Sequence, residues 1–155
     1  MLDATIEQRQ TLSASVGSGL ALFQLLSMPD TPSRLLVACF CAAWCRTCDD
    51  YVQVMDALKA RYAKQADFVW VEIEDQAEVL DQVDVENFPT VLISDATQVY
   101  FWGTLLPHAA TASQLIERVL SGDIRPHDSV DIAQLDGRLR ATLDSTHPSQ
   151  RPHER

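Results

Sequence analysis

Apolar positions along this chain fall into runs of different period, and each period predicts a different element. Leu35-Leu36-Val37-Ala38-Cys39-Phe40-Cys41 is unbroken and follows the turn-forming Asp30-Thr31-Pro32-Ser33. Such a run fits a strand covered on both faces, the place of a central strand. After Cys45 the period lengthens. Tyr51, Met55, Leu58 and Tyr62 recur every three or four residues with Asp, Gln, Lys and Arg between them, which predicts an amphipathic helix. Phe68–Glu74 alternates apolar and acidic in its second half, as a strand does. Gln76–Val85 reads as a short helix. Thr90–Ile93 and Gln98–Trp102 read as short strands joined by Ser94-Asp95-Ala96-Thr97. Ser113–Leu120 reads as a helix ending near Gly122.

Upstream, Thr11–Val16 is expected as a short edge strand. Ser18 can cap a helix carrying Leu20, Leu22, Phe23, Leu25 and Leu26, which stops before Pro29. Helices thus alternate with strands, and an antiparallel hairpin closes the sheet. The expected class is α/β, a mixed central sheet with helices on both faces. Beyond Gly122, Asp128 or Ser129 can cap a further helix over 129–144 with Ile132, Leu135, Leu139 and Leu143 on one side. Gly137 weakens that helix by about 1 kcal/mol relative to alanine. The helix is expected to pack back on the domain, with a partner or dimer contact as the alternative. Residues 1–122 are therefore read as one domain with an N-terminal lead, and 123–155 as an extension. Its end, Ser145–Arg155, is rich in Pro, His and Arg and is expected to be disordered.

Length and charge narrow the function. A chain of 155 residues is a one-domain length. Its apolar runs fall short of the roughly 18 residues a membrane helix needs. Gly17–Met28, the nearest to a signal segment, lacks a basic lead, since only Arg9 stands against Asp3 and Glu7, and it ends in Met-Pro-Asp. A cytoplasmic protein without a membrane partner is expected. The net charge is −10, and between Lys64 and Arg118 no Lys or Arg occurs while ten acids do. Phosphate recognition needs cations, so nucleic acid is not an expected partner. The acids, including Asp81, Asp84 and Glu86, read as a solvated face. His108 reads as a surface residue, and His127, His147 and His153 lack ligand spacing.

All four cysteines, Cys39, Cys41, Cys45 and Cys48, lie within ten residues. A structural disulfide framework ties distant segments, so this clustering points to a redox centre or a metal knot. Trp44-Cys45-Arg46-Thr47-Cys48 stands where the buried strand passes into the amphipathic helix. At a helix N-terminus, unpaired N–H groups and the dipole stabilise an anion, and the thiolate is the nucleophile of disulfide exchange. Arg46 acts in the same direction, and Asp49 and Asp50 oppose it. Cys45 is expected to attack, and Cys48, one turn further in, to close a disulfide with it. Cys39-x-Cys41-x3-Cys45-x2-Cys48 could also supply four thiolates to a metal. The first pair, however, lies in an apolar strand rather than a loop, and no metal or other cofactor is expected. Cys39 and Cys41 share one strand face and read as small buried hydrophobes. The alternative is a secondary redox role for Cys39 beneath Cys48. Trp44 is expected to shield the thiols and touch substrate, and Trp70 and Trp102 to be core or groove wall. Phe88-Pro89-Thr90 opens a strand about forty residues after Cys48, and a proline there fits a cis-proline loop facing the cysteines.

Trp-Cys-x-x-Cys after a buried strand, a Pro-Thr pair opening a later strand and Gly103 after the closing hairpin resemble thioredoxin. The likeness spans roughly residues 11–122 and is tightest over 35–103. It implies a thioredoxin-like fold, to which the C-terminal helix read above is an addition without counterpart in the family fold. It also implies that Cys45 is the nucleophile, Cys48 the resolving cysteine and Pro89 the cis-proline, with Trp44 and Phe88 lining the substrate groove. The implied activity is thiol–disulfide exchange with protein substrates, as a reductase fed by a reductase enzyme or a small thiol. The chain departs from the family pattern at several points. Arg46-Thr47 replaces Gly-Pro between the cysteines, and Gln53 stands where the active-site helix is usually kinked by proline. Cys39 aligns with the buried aspartate that assists resolution, and Trp70 with its lysine partner. Two other readings follow: a thioredoxin-like protein-binding module with weak redox activity, and a four-cysteine metal site.

Overall fold

The computed structural model describes residues 33–146. The expected Thr11–Val16 strand, the Leu20–Leu26 helix and the tail from residue 147 onward lie outside the described residues, while Ser145 and Thr146, expected in that tail, are helical instead. The elements run β1 (Leu35–Cys41), α1 (Arg46–Arg61), β2 (Ala66–Glu72), α2 (Ala77–Leu80), β3 (Thr90–Ser94), β4 (Val99–Thr104), α3 (Ala109–Leu120) and α4 (Val130–Thr146). The sheet order is β2-β1-β3-β4. Strand β1 pairs parallel with β2 and antiparallel with β3, which pairs antiparallel with β4.

All seven residues of β1 are buried, as the unbroken apolar run requires. Alternation along the strand sorts them onto two faces. Leu35, Val37, Cys39 and Cys41 pack with Cys48, Tyr51, Met55 and Leu58 of α1 and with Ala112, Ile116 and Val119 of α3. Leu36, Ala38 and Phe40 pack with Val79 of α2 and with Ile132, Leu135 and Leu139 of α4. This is the mixed sheet covered on both faces that the pattern predicts.

Several boundaries move, for local reasons. Helix α2 is four residues long rather than Gln76–Val85, because Asp81 turns to φ 51° and its N–H closes on the Ala77 carbonyl. Left-handed backbone ends a right-handed helix. Helix α3 starts at Ala109 instead of Ser113. Its first turn is rich in alanine, which favours helix without leaving an apolar period to read. Helix α1 runs as expected through Tyr51, Met55 and Leu58, with Lys59 and Arg61 in its last turn facing the negative end of the dipole.

Helix α4 is held by more than its apolar stripe. The Ser94 hydroxyl donates to Asp136 Oδ1 at 2.6 Å, and Arg140 donates to Asp136 Oδ2 at 3.0 Å and to Ser94 Oγ at 2.7 Å. Ser94 and Asp136 are both buried, so each needs these partners. Arg138 donates to the carbonyls of Val79 and Leu80, tying α4 to α2. Leu135 is fully buried in this layer. Its replacement by alanine should cost about 2–5 kcal/mol in urea unfolding. A loss under about 0.5 kcal/mol would mean that α4 does not rest on the sheet.

Candidate functional site

Strand β1 delivers Cys39 and Cys41 to one end of the sheet, and the chain turns through Ala42-Ala43-Trp44 into α1. The turn closes with the Cys45 N–H on the Ala42 carbonyl at 3.0 Å, and the Cys48 N–H then reaches the Cys45 carbonyl at 3.2 Å. Cys45 is the N-cap residue of α1, with extended backbone (φ −88°, ψ 111°) and no capping bond from its side chain. It is half-buried, whereas Cys48, one turn on, is only 2% exposed. The strand-to-helix position expected of the motif is therefore the one found.

The disulfide is not the expected one. Cys48 is bonded to Cys41, across a Cα–Cα distance of 5.9 Å, and Cys45 and Cys39 are free thiols. Cys41 is thus more than a buried hydrophobe. The sequence places Cys39 beneath Cys48, but Cys41 lies two residues nearer the turn and meets the first turn of α1. Cys39 stays buried, with its sulfur 3.6 Å from that of Cys41. Residues i and i+2 share a strand face, so Cys39 and Cys41 both lie on the α1 side, but that spacing does not say which of them meets Cys48.

The loop before β3 completes the site. The Phe88–Pro89 bond is cis, and Pro89 is buried. The Trp44 ring meets that of Phe88 edge to face, with centroids 5.5 Å apart. Trp44 is nevertheless 70% exposed. Cys45 and Phe88 pack against the same apolar cluster. The structure therefore gathers Trp44, Cys45 and Phe88 on one rim, with Pro89 buried next to Phe88 and with Cys39, Cys41 and Cys48 beneath. Trp102 is half-buried and packs on the core, edge-on with Phe40, and His108 is exposed.

Cys39 stands opposite Trp70, and Cys41 opposite Glu72. The Trp70 ring N–H donates to Glu72 Oε1 at 2.7 Å, while Glu72 Oε2 is buried without a partner among the described residues. Burial pushes the Cys39 thiol up to about 12, and the nearby charges of Cys45 and Glu72 push the same way. Burial, then Cys39, raises Tyr51 as well. Among the described residues no three His, Cys, Asp or Glu side chains are grouped to hold a metal ion, and no helix is long and apolar enough to cross a membrane.

An acid whose folded pKa lies above its unfolded value stabilises the fold fully below the unfolded value, and that contribution fades as pH rises towards the folded value. For Cys39 the window opens near its ordinary 9.0 and closes at about 12. Tyr51 joins from its ordinary 10.0 upward. Stability should fall between pH 9 and 10 by an amount approaching about 1.4 kcal/mol. Cys39→Ala should flatten that fall in urea unfolding of the oxidised protein. An equal slope in both proteins would remove Cys39 as its source.

The thioredoxin family model matches residues 27–116, more than half of the 155-residue chain. No curated protein matches it. Among solved structures, the germline-specific thioredoxin Deadhead of Drosophila melanogaster shares the fold with a TM-score of 0.51 at 16% identity, over 56% of this chain and 82% of that one. A malaria-parasite thioredoxin-2, described as a component of protein secretion machinery, gives 0.52 at 18% identity, over 59% and 89%. Both likenesses speak for the fold. The matched segment carries β1, all four cysteines, the cis-proline and the closing hairpin. On that match the chain belongs to the thioredoxin family, whose members are in general thiol–disulfide oxidoreductases.

Proposed function

We propose that this protein is a cytoplasmic protein-disulfide reductase working through the Cys-Arg-Thr-Cys dithiol of Cys45 and Cys48. The observation that carries the reading is Cys45 itself, a free, half-buried thiol at the N-terminus of a sixteen-residue helix beside an exposed aromatic rim. An anion there faces unpaired N–H groups. The Cys45 thiolate attacks a substrate disulfide, forming a mixed disulfide and releasing one substrate thiolate. Cys48 then attacks the Cys45 sulfur, releasing the second thiolate and leaving Cys45–Cys48. Two electrons pass from the protein to the substrate, and a reductase enzyme or a small thiol restores the dithiol.

A protein substrate suits the rim better than a small molecule. Trp44 and Phe88, in edge-to-face contact, offer apolar surface at the end of the fold that carries the thiol. The backbone N–H and C=O of Phe88 make no hydrogen bond among the described residues, so they are available to an extended chain. The second reading is a binding module with weak exchange activity. It draws on Cys39 and Trp70, which replace the usual acid and lysine.

Cys45→Ser should lower insulin-disulfide reduction by about two orders of magnitude or more, and retention of half the activity would sink the assignment. Cys48→Ser should accumulate covalent adducts through Cys45 on non-reducing gels. A reduction potential near about −270 mV fits the reductase, and one near about −120 mV an oxidant.

A further inference from the structure

Cys41 is the sulfur in this cluster that the exchange just described does not use, and it is the one bonded to Cys48. On the proposed exchange, Cys48 then has two partners. On one side is Cys45, three residues back in the same helical turn, where side chains at that spacing lie about 5–6 Å apart at Cβ. On the other is Cys41, fully buried at the end of β1. We propose that Cys41 is a third redox-active cysteine, an inner relay that moves the disulfide from Cys45–Cys48 to Cys41–Cys48 and returns Cys45 to the free thiol. The inference rests on the reading of Cys45 and Cys48 as the exchanging pair.

The step is an internal exchange. The Cys41 sulfur attacks the Cys48 sulfur of Cys45–Cys48, the Cys41–Cys48 bond forms, and Cys45 leaves with the electron pair of the broken bond. The proton lost by Cys41 ends on Cys45 or in solvent. One disulfide and one thiol enter and leave, so nothing is oxidised or reduced overall. Geometry favours the inward direction. The departing thiolate stands half-exposed at a helix N-terminus, whereas a thiolate left on Cys41 would be sealed among apolar side chains.

The consequence is a protein whose oxidised form keeps its nucleophile. Cys45 can engage a second substrate disulfide while Cys48 is occupied. That adduct waits until Cys41–Cys48 is reduced, so the oxidised form captures substrate and the reduced form turns it over.

Disulfide mapping tests this. The wild type and Cys41→Ala are oxidised with diamide, labelled with a maleimide and cleaved with trypsin without reduction. Cleavage after Arg34, Arg46 and Lys59 puts Cys39, Cys41 and Cys45 on one peptide and Cys48 on the next. Fragment ions between Cys41 and Cys45 then identify the bonded residue. The wild type should show Cys41–Cys48 with Cys45 labelled. Cys41→Ala should show Cys45–Cys48, with Cys45 labelling lower by about tenfold or more. Cys41→Ser repeats the test should the alanine variant not fold. A wild type holding Cys45–Cys48 with Cys41 free overturns the relay and leaves the reductase reading intact. A Cys41 variant that folds and still labels fully at Cys45 overturns both, because Cys48 then never pairs with Cys45.

Discussion

Strand β1 must be covered on both faces, because none of its seven residues can be left in water without exposing apolar surface. That constraint draws α1 and α3 to one side and α2 and α4 to the other. It also fixes the chemistry. A strand buried on both sides has alternate residues facing each layer, so Cys39 and Cys41 are committed to the α1 side, and Cys48 comes to meet them from the first turn of α1. The one cysteine that escapes the core is Cys45, because it caps the helix instead of belonging to its buried stripe.

The same packing divides the four sulfurs by reactivity. Burial holds Cys39 as a thiol far above neutral pH, so it packs as a small apolar group beside Cys41. Cys45 meets solvent and the helix N-terminus together. Trp70 opposite Cys39 brings no charge to offset burial, and its ring N–H is spent on Glu72. The polar assistance that the family usually places beneath the resolving cysteine is therefore missing from those two positions. The carboxylate of Glu72 stands two residues further along β2, opposite Cys41.

Much of this was legible in the sequence. The unbroken run at 35–41, the three-and-four spacing from Tyr51 to Tyr62 and the hairpin after Pro89 are patterns that burial alone imposes, and each element formed near where it was expected. The strand-to-helix position of Cys45 and the company of Trp44, Phe88 and Pro89 followed from spacing and from the resemblance to the family. What could not be read was the partner of Cys48. Cys41 and Cys45 are both within reach of it, and the choice depends on the distance between a strand end and a helix start, which no local pattern encodes. The end of α2 escaped for a similar reason, since the turn of Asp81 into left-handed backbone is set by tertiary context.

The Cys41–Cys48 bond closes a short loop, and that bears on what it is for. Its cysteines are seven residues apart. On the loop-closure account a 15-residue loop gains about 3 kcal/mol and a 100-residue loop about 4.7 kcal/mol, so a loop this short gains less than either. Strand β1 and helix α1 are already joined by the tight turn at Ala42–Cys45 and by their apolar contacts. A bond chosen for stability would tie α4 to the sheet or close a longer excursion. This one instead joins two sulfurs at the end of the fold where Cys45 is a free thiol. Loop closure alone would still give such a bond about 2.4 kcal/mol, so its position at the end of the fold that carries Cys45, more than its size, is what the proposed exchange accounts for.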